Sequence, residues 1–182
     1  MGRKLRAERL LAYVFSHRPA GDIDVAVYET ALTRFHAALA SAPPSGFVRS
    51  STFKVGDRYS DWYLVDGSAA LDVLNAAAVS GARTPAHDAA ARMAVDGEGK
   101  LYSLVSGEPA AGPGFEIQFS KPAGVGYPDH YERLRRYTKG PGVSLWRRMM
   151  VLGPPPEFCL LAPSEIELPP EYRPEVLRRE PI

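Results

Sequence analysis

Apolar and polar positions in the first half of the chain alternate between the spacing typical of strands and that typical of helices. Arg9–Ser16 is a short, mostly apolar run that ends at the turn-forming stretch HRPAGD, and it predicts a buried strand. Asp24 can cap a helix that continues to about Ser41, because apolar side chains then recur every three or four residues at Tyr28, Leu32, Phe35 and Leu39. The remaining pattern predicts strands at Phe47–Val55, Asp61–Val65 and Lys100–Ser106, helices at Ala69–Val79 and Pro85–Val95, and a turn at Asp96–Gly99.

The second half repeats this order of elements and then stops short. Phe115–Ser120 predicts a strand, and strands at Val143–Leu152 and Glu157–Leu161 follow a helix over about Pro128–Lys139. The C-terminal stretch ELPPEYRPEVLRREPI contains too many prolines for a long helix. We therefore expect this half to have lost its last helix and strand, or to keep only a fragment of them as a surface tail. Four side chains form the apolar stripe of the predicted helix: Tyr127, Tyr131, Leu134 and Tyr137.

Two pairs of matching segments indicate that the halves arose by duplication. Gly142–Ser164 lies over Gly46–Ser68 without a gap, and FSKPAG (Phe119–Gly124) matches FSHRPAG (Phe15–Gly21) with one residue deleted. The difference in residue number between matched positions is smaller for the match that begins at Gly46 than for the match that begins at Phe15. The helix between the two segments must therefore be about two turns shorter in the second half. The gapless match contains four identical pairs: Gly46/Gly142, Val55/Val151, Leu64/Leu160 and Ser68/Ser164.

Each half has the element order of a ferredoxin-like repeat, in which an antiparallel sheet carries its helices on one face. The other face must also be covered. We predict an α+β protein of two ferredoxin-like repeats whose antiparallel sheets pack face to face as a barrel within one chain. The predicted boundaries are 1–106 for the first repeat, 107–114 for a linker, 115–164 for the shortened second repeat and 165–182 for a proline-rich C-terminal tail.

This duplicated order of elements resembles the dimeric α+β barrel superfamily, which includes small antibiotic-biosynthesis monooxygenases and, with two repeats per chain, the chlorite dismutases. The resemblance lies in element order and repetition, and it extends over nearly the whole chain. It implies a barrel and leaves cofactor-free and haem oxidoreductases open as activities. Because one fold hosts many functions, it assigns no reaction to this chain.

Composition narrows the class of partner. The 22 Lys and Arg residues against 21 Asp and Glu leave a net charge of +1, which gives no strong positive field and disfavours nucleic acid. No apolar run approaches the roughly 20 residues that cross a bilayer, so we expect a cytoplasmic protein, either monomer or homodimer, away from membranes. Cys159 is the only cysteine, which excludes an intrachain disulfide and a Cys-based zinc cage.

Four side chains of the second repeat are predicted to form a ligand site between the sheets. In the repeat alignment Glu116 and Gln118 replace Ala12 and Val14, while Trp146 and Arg148 replace Ser50 and Thr52. On the inner face, Arg148 would anchor an anion, Trp146 would stack on an aromatic ring, and Glu116 with Gln118 would be polar partners. The alternative is that Arg147 and Arg148 form a solvated pair at a sheet edge and Glu116 lies on an exposed face.

The four histidines lie in no recognised metal-ligand spacing: His17, His36, His87 and His130. His36 flanks the apolar stripe of the first predicted helix and His130 begins the second, and both are predicted to be boundary residues. Chlorite dismutase-like proteins bind haem through a histidine of the second repeat, and His130 is the only histidine there. The resemblance therefore leaves haem open at His130, and we otherwise predict neither a cofactor nor a metal.

Two further classes of function remain open. RNA-recognition domains share the βαββαβ order, and Tyr13, Phe15 and the pair Trp62-Tyr63 could supply stacking rings, although no RNP1-like run precedes Trp62. A partner-binding barrel without chemistry would use the proline-rich GPPPEF segment and the C-terminal tail as contact segments.

Overall fold

The computed structural model describes residues 10–109 and 112–182, which form an α+β fold. Residue 9 of the first predicted strand and residues 110–111 of the predicted linker lie outside this range. Within it, no helix is both long and apolar enough to cross a membrane. The strands are β1 (Leu11–Pro19), β2 (Phe47–Val55), β3 (Arg58–Val65), β4 (Ala94–Gly107), β5 (Gly114–Phe119), β6 (Ser144–Arg148), β7 (Phe158–Ala162) and β8 (Glu175–Pro181), and the α-helices are α1 (Val25–Ser41), α2 (Ala69–Ala78), α3 (Thr84–Ala91) and α4 (Tyr127–Leu134).

The strands close into one antiparallel barrel in the order β1-β3-β2-β8-β5-β7-β6-β4. Each repeat contributes four strands in the same order, so that β4-β1-β3-β2 matches β8-β5-β7-β6. The two sheets join where β2 meets β8 and where β4 meets β6. Gly46 and Gly142 precede corresponding strands and both have positive φ angles, of 77° and 72°. The predicted fold, a single-chain barrel of two ferredoxin-like repeats, is confirmed.

The barrel separates an interior from two helix-covered outer faces. Trp62, Tyr102 and Trp146 pack in the interior, because strand residues alternate between the two sides of a sheet. On the first repeat, α1 covers the outer face together with α2 and α3. Asp24 caps α1 as predicted, and its carboxylate accepts from the backbone N–H groups of Ala26 and Val27.

The pairing of strands in the barrel corrects the gapless alignment of the repeats. Tyr13 pairs with Tyr63 in the first repeat, and Ile117, the counterpart of Tyr13, pairs with Leu160 in the second. Leu160 therefore corresponds to Tyr63 and not to Leu64. The alignment is wrong by one residue on β7.

On β6, which pairs with β7, the gapless alignment is wrong by one residue in the opposite direction. Ser51 pairs with Trp62, whereas Trp146 pairs with Cys159, which corresponds to Trp62. Trp146 therefore corresponds to Ser51 and not to Ser50. The connection between these two strands is longer in the second repeat, and a gapless alignment cannot accommodate that difference.

The C-terminal segment differs from the predicted surface tail. Its strand β8 pairs with β5 on one side and with β2 on the other, in the position that β4 has in the first repeat. The preceding proline-rich stretch forms only a 3₁₀ turn at Pro170–Tyr172. The second repeat has thus lost the helices that correspond to α2 and α3 but has kept the strand, because the barrel needs it to pair two sheet edges.

The other differences concern the ends of elements. The predicted turn at Asp96–Gly99 lies inside β4, where Gly99 pairs with Phe15 and Asp96 has a positive φ angle of 53°. A glycine at 99 allows this pairing, since a Cβ atom there would come within 2.8 Å of the Tyr13 hydroxyl. The helix α4 ends at Leu134 and continues as a 3₁₀ turn to Tyr137.

Candidate functional site

A cavity of about 700 Å³ lies between the outer face of β1, β3 and β4 and the helices α1, α2 and α3. Leu152 and Gly153, from the loop after β6, complete its wall, so the second repeat contributes to a cavity of the first. Cavities that bind drug-sized ligands have volumes of roughly 300 to 1,000 Å³. The cavity can therefore hold a small molecule of two or three fused rings.

The wall of this cavity is mainly apolar and aromatic, with a few polar groups. Such a surface favours a flat aromatic ligand, because rings stack and pack edge to face against one another. The few polar side chains would then set its orientation. The aromatic residues are Tyr13, Phe15, Tyr28, Phe35 and Tyr63, and the polar side chains are His17, Asp61, Asp72, Asn75 and His87. Lys100 also borders the cavity, but its ammonium group donates to Gln118 in the barrel interior.

A buried carboxylate lies at the base of the cavity between two histidines. Asp61 is 3% exposed, and its Oδ2 atom lies 3.2 Å from His17 Nε2. Its Oδ1 atom lies 3.4 Å from His36 Nε2. The hydroxyl of Tyr63 donates to Oδ2 over 3.1 Å. Asp61 is thus held by groups from β1, α1 and its own strand.

These neighbours keep Asp61 ionised. Burial by itself raises the pKa of the carboxyl, but the contacts with His17 and His36 and their charges lower the pKa of Asp61 well below its usual range. The negative charge acts on the nearby phenols in turn. Burial, and then Asp61, raises the pKa of Tyr28 and of Tyr63, so both phenols are neutral at pH 7.

The second nitrogen of His17 contacts a buried phenol. The Tyr28 hydroxyl lies 2.5 Å from His17 Nδ1, and Tyr28 is fully buried. Because an ionised Asp61 can only accept, we assign Nε2, which faces the carboxylate, as the protonated nitrogen in the neutral form of the His17 ring. Nδ1 then accepts from the Tyr28 hydroxyl. Tyr28, His17 and Asp61 thus form a contact series: Tyr28 and His17 share a short hydrogen bond, and the 3.2 Å approach of His17 Nε2 to Asp61 is an ion-pair contact without hydrogen-bond geometry.

His36 connects the same carboxylate to β2. Its Nδ1 atom lies 2.7 Å from the Ser50 hydroxyl, while Nε2 faces Asp61. His36 does not line the cavity, whereas His17 does. We therefore assign His36 to the positioning of Asp61, and His17 to the side that a ligand reaches. No group of three His, Cys, Asp or Glu side chains in the described part of the chain is arranged to hold a metal ion.

The four side chains of the predicted ligand site lie elsewhere, at positions that face the barrel interior. Gln118 donates to Glu116 Oε1 over 2.6 Å, and Trp146 is 1% exposed, with its indole N–H donating to Ser144. Arg148 is half-buried and donates to the Gly153 carbonyl over 2.6 Å. The structure brings these residues to one side of the sheet, as predicted, and their role in ligand binding remains a prediction.

His130, from the haem hypothesis, and Trp62, from the RNA-binding hypothesis, both lie in packed surroundings. His130 is fully buried, and its ring lies 4.5 Å from that of Phe158 and 5.7 Å from that of Tyr172. It is a core residue and not the predicted boundary residue, and this packing does not offer its ring to a haem iron. Trp62 is 1% exposed in the barrel interior, so it is not a stacking surface for RNA.

Neither Asp61 nor His17 is among the predicted site residues, although one signal in the sequence indicates a role for Asp61. The stretch RYSDWYLV reads as a strand with apolar residues on both faces, and a carboxylate in such a strand needs a buried partner. The partners His17 and His36 come from other elements, so their spacing in the sequence carries no trace of the contact.

Comparisons with known proteins identify the fold. No protein-family model matches this sequence, and no curated protein does either. A candidate monooxygenase from Lactobacillus acidophilus NCFM has a TM-score of 0.56 at 10% identity, covering 94% of this chain and 93% of its own. SnoaB, a cofactor-independent oxygenase from Streptomyces nogalater, has a TM-score of 0.45 at 18% identity over 56% of this chain and 98% of its own. A SnoaB mutant gives 0.44 at 19% identity over 55% and 97%.

The first of these likenesses shows a shared fold over nearly the full length of both chains. At 10% identity it shows the fold alone. The class that the structure defines is therefore an α+β barrel of the kind found in the candidate monooxygenase.

Proposed function

We propose that this chain is a small-molecule enzyme that binds a hydroxylated aromatic compound in the cavity of the first repeat and removes a proton from its hydroxyl group. The observation that carries the proposal is the Tyr28–His17–Asp61 series at the base of an aromatic cavity. A buried carboxylate that orients an imidazole, which in turn contacts a hydroxyl, is a common arrangement for proton transfer in enzymes.

The proton transfer follows from the assigned tautomer. The ligand hydroxyl gives its proton to the Tyr28 oxygen, while the proton of Tyr28 moves to His17 Nδ1. Because Tyr28 is fully buried in the unliganded chain, this step requires the cavity wall to open at Tyr28. The resulting imidazolium faces the Asp61 carboxylate, which stabilises its positive charge. The ligand is left as a phenolate, whose ring carbons are electron-rich.

The second part of the proposal is that this phenolate reacts with dissolved O₂. One oxygen atom enters the ring and the other leaves as water, so that 1-naphthol plus O₂ gives a naphthoquinone plus H₂O. The chain's residues would supply the base and a mainly apolar cavity for this step. The fold shared with the candidate monooxygenase supports this reaction class by analogy only.

Two variants test the proton-transfer series with a matched control. Tyr28→Phe removes the hydroxyl that contacts His17, whereas Tyr59→Phe removes a hydroxyl that donates to Glu29 from a ring stacked on His17. Turnover of phenols with one, two and three fused rings would be followed with an oxygen electrode after treatment with a chelator. We expect Tyr28→Phe to lower kcat by about 10²-fold or more and Tyr59→Phe to change it by less than about threefold.

Two results would contradict the proposal. Equal turnover in the Tyr28 and Tyr59 variants would remove Tyr28 from the mechanism. Binding of the phenols without oxygen uptake would leave a binding protein in place of an oxygenase.

The barrel interior is a second candidate ligand site, as the sequence predicts. The observation in its favour is a buried polar series in which Lys100 donates to Gln118 and Gln118 donates to Glu116. Glu116→Gln would test this alternative. It leaves phenol binding unchanged if the ligand occupies the first-repeat cavity, and weakens it if the ligand lies between the sheets.

A further inference from the structure

An arginine and a glutamate are buried inside the barrel without a hydrogen bond or salt bridge between them. Arg179 on β8 is 2% exposed and Glu116 on β5 is 4% exposed. In the antiparallel pairing, Gly114 lies opposite Arg179 and Glu116 lies opposite Leu177, so Arg179 and Glu116 are diagonal neighbours on the inner face. Glu116 Oε2 and two guanidinium nitrogens of Arg179 have no hydrogen-bond partner among the described residues. Buried charges without partners are costly.

The unpartnered nitrogens of Arg179 form one edge of its guanidinium group. The group lies over Phe53, with its central carbon 3.8 Å from the ring centroid, and Nη1 makes a long contact of 3.4 Å with the Gly112 carbonyl. Nε and Nη2 remain without a partner in the described chain. This edge can donate two parallel hydrogen bonds to a pair of oxygen atoms on one anion.

A second cation adds to the positive potential at this end of the barrel. Burial lowers the pKa of Arg179, Glu116 raises it, and the charge of Arg49 lowers it again, so both Glu116 and Arg49 act electrostatically on Arg179. Arg49 donates to the Pro109 carbonyl, and its Nε atom also lacks a partner among the described residues. Arg179 therefore has one carboxylate and a second guanidinium group in its surroundings.

We propose that Arg179 binds a small planar oxyanion that carries a hydroxyl group, of the bicarbonate class, inside the barrel beside Glu116. Two oxygens of the anion accept from the free edge of Arg179. The hydroxyl donates to Glu116 Oε2, which would repel an anion without a proton to give. The site is separate from the first-repeat cavity, and the proposal does not depend on the function assigned to that cavity.

Bicarbonate and acetate form a matched pair of probes, because a hydroxyl replaces a methyl group on the same carboxylate. Both tryptophans of the chain lie in the barrel interior, and Arg179 is 5.6 Å from the Trp62 ring. Intrinsic fluorescence would be titrated at pH 8 and constant ionic strength, with sodium chloride as the reference salt. We expect a saturable change with bicarbonate and at least tenfold weaker binding of acetate. Saturation should also raise Tm by about 4 °C at ten times the dissociation constant.

Three variants distinguish a site that binds an anion from a site that holds only water. Arg179→Lys keeps a charge but loses the two-pronged edge, and should weaken bicarbonate binding at least tenfold. Arg178→Gln, on the exposed side of the same strand, should leave it unchanged. Glu116→Gln should remove the preference for bicarbonate over acetate. If no titration saturates, or if Arg179→Lys binds bicarbonate as the parent chain does, water alone fills the gap and the proposal is overturned.

Discussion

The outer faces of the two repeats are built on matching strands but have opposite contents. The face of the first repeat lies under α2 and α3, which enclose a cavity with Asp61 at its base. The face of the second repeat lies under α4 and the segment that carries Leu168 and Tyr172, and its side chains form a continuous core. One copy of the fold thus holds an open space, while the other is filled.

A single pair of corresponding residues shows how the faces diverged. Because Leu160 corresponds to Tyr63, Phe158 corresponds to Asp61. Phe158 is fully buried and stacks on Phe119, with ring centroids 5.5 Å apart. A carboxylate that needs charged partners stands in one repeat, and a ring that needs only packing stands in the other. Duplication lets the second repeat serve as structural support for a site in the first.

Among the substitutions that test the contrast between the two repeats, the largest expected effect is a loss of activity at Asp61. Asp61→Asn removes the charge that stabilises a protonated His17 but keeps the size of the side chain. We expect kcat to fall by about 10³-fold or more, with the affinity for a bound phenol changed only a few-fold. Single-turnover rates and binding isotherms would measure the two quantities. An unchanged kcat would show that Asp61 is only a structural buried charge.

The next effect is on stability and should differ between the repeats. Phe158→Ala removes a ring from a filled core and should lower the free energy of unfolding by about 3 to 5 kcal/mol. Phe15→Ala removes a half-buried ring from the cavity wall, where less packing is lost, and should cost less than about 2 kcal/mol. Urea denaturation of both variants would make the comparison. Equal losses would mean that the cavity wall contributes as much to the stability of the fold as the core of the second repeat does.

His130 should make the second repeat sensitive to acid. Burial lowers the pKa of His130 to about 4, from 6.5 for an unperturbed histidine, so the folded chain favours its neutral form. Between these two values the unfolded chain binds more protons, and stability must fall as the pH falls. From pH 7 to pH 4.5 the loss from this group is about 2 to 3 kcal/mol.

Denaturation at the two pH values would measure that loss, with two variants for comparison. His130→Phe should reduce the difference between pH 7 and pH 4.5 by this amount. His87→Gln, at the partly exposed wall of the first-repeat cavity, should retain it. If His130→Phe is as acid-sensitive as the parent chain, other groups are responsible.

The smallest effect concerns the starts of the two corresponding helices. Asp24 caps α1 through two backbone N–H groups, whereas α4 begins after Gly126 with no side-chain cap. Asp24→Ala should cost about 1 kcal/mol, and Gly126→Ser should gain about 0.5 kcal/mol by supplying an acceptor. Gly126 has a φ angle of −69°, which a serine can adopt without strain. Thermal melts of the two variants should therefore shift in opposite directions.

Much of this architecture follows from the sequence, because it depends on local signals. Apolar periodicity and the Asp24 cap place α1, and the exact bounds Phe47–Val55 of β2 follow from its flanking prolines and glycines. The duplicated segments then give the barrel. Strand β8 was missed, because only pairing with two distant strands makes an extended, proline-flanked segment a strand.

The site was harder to predict, since its parts come from separate elements. Asp61, His17 and His36 lie on β3, β1 and α1, and their contacts exist only after the helix packs on the sheet. The polar residues predicted from repeat divergence do face the barrel interior. The cavity itself depends on how loosely α2 and α3 cover the sheet, which no sequence pattern encodes.

The number of 1-naphthol molecules bound per chain, measured by titration calorimetry, tests the contrast between the repeats most directly. Ala78→Trp would fill the cavity wall, and Ala76→Trp would place the same ring on the exposed side of the same helix. We predict one binding site per chain that Ala78→Trp abolishes and Ala76→Trp preserves. Undiminished binding to the Ala78→Trp variant, or no binding to the parent chain, would contradict the assignment of the first-repeat cavity as the functional site.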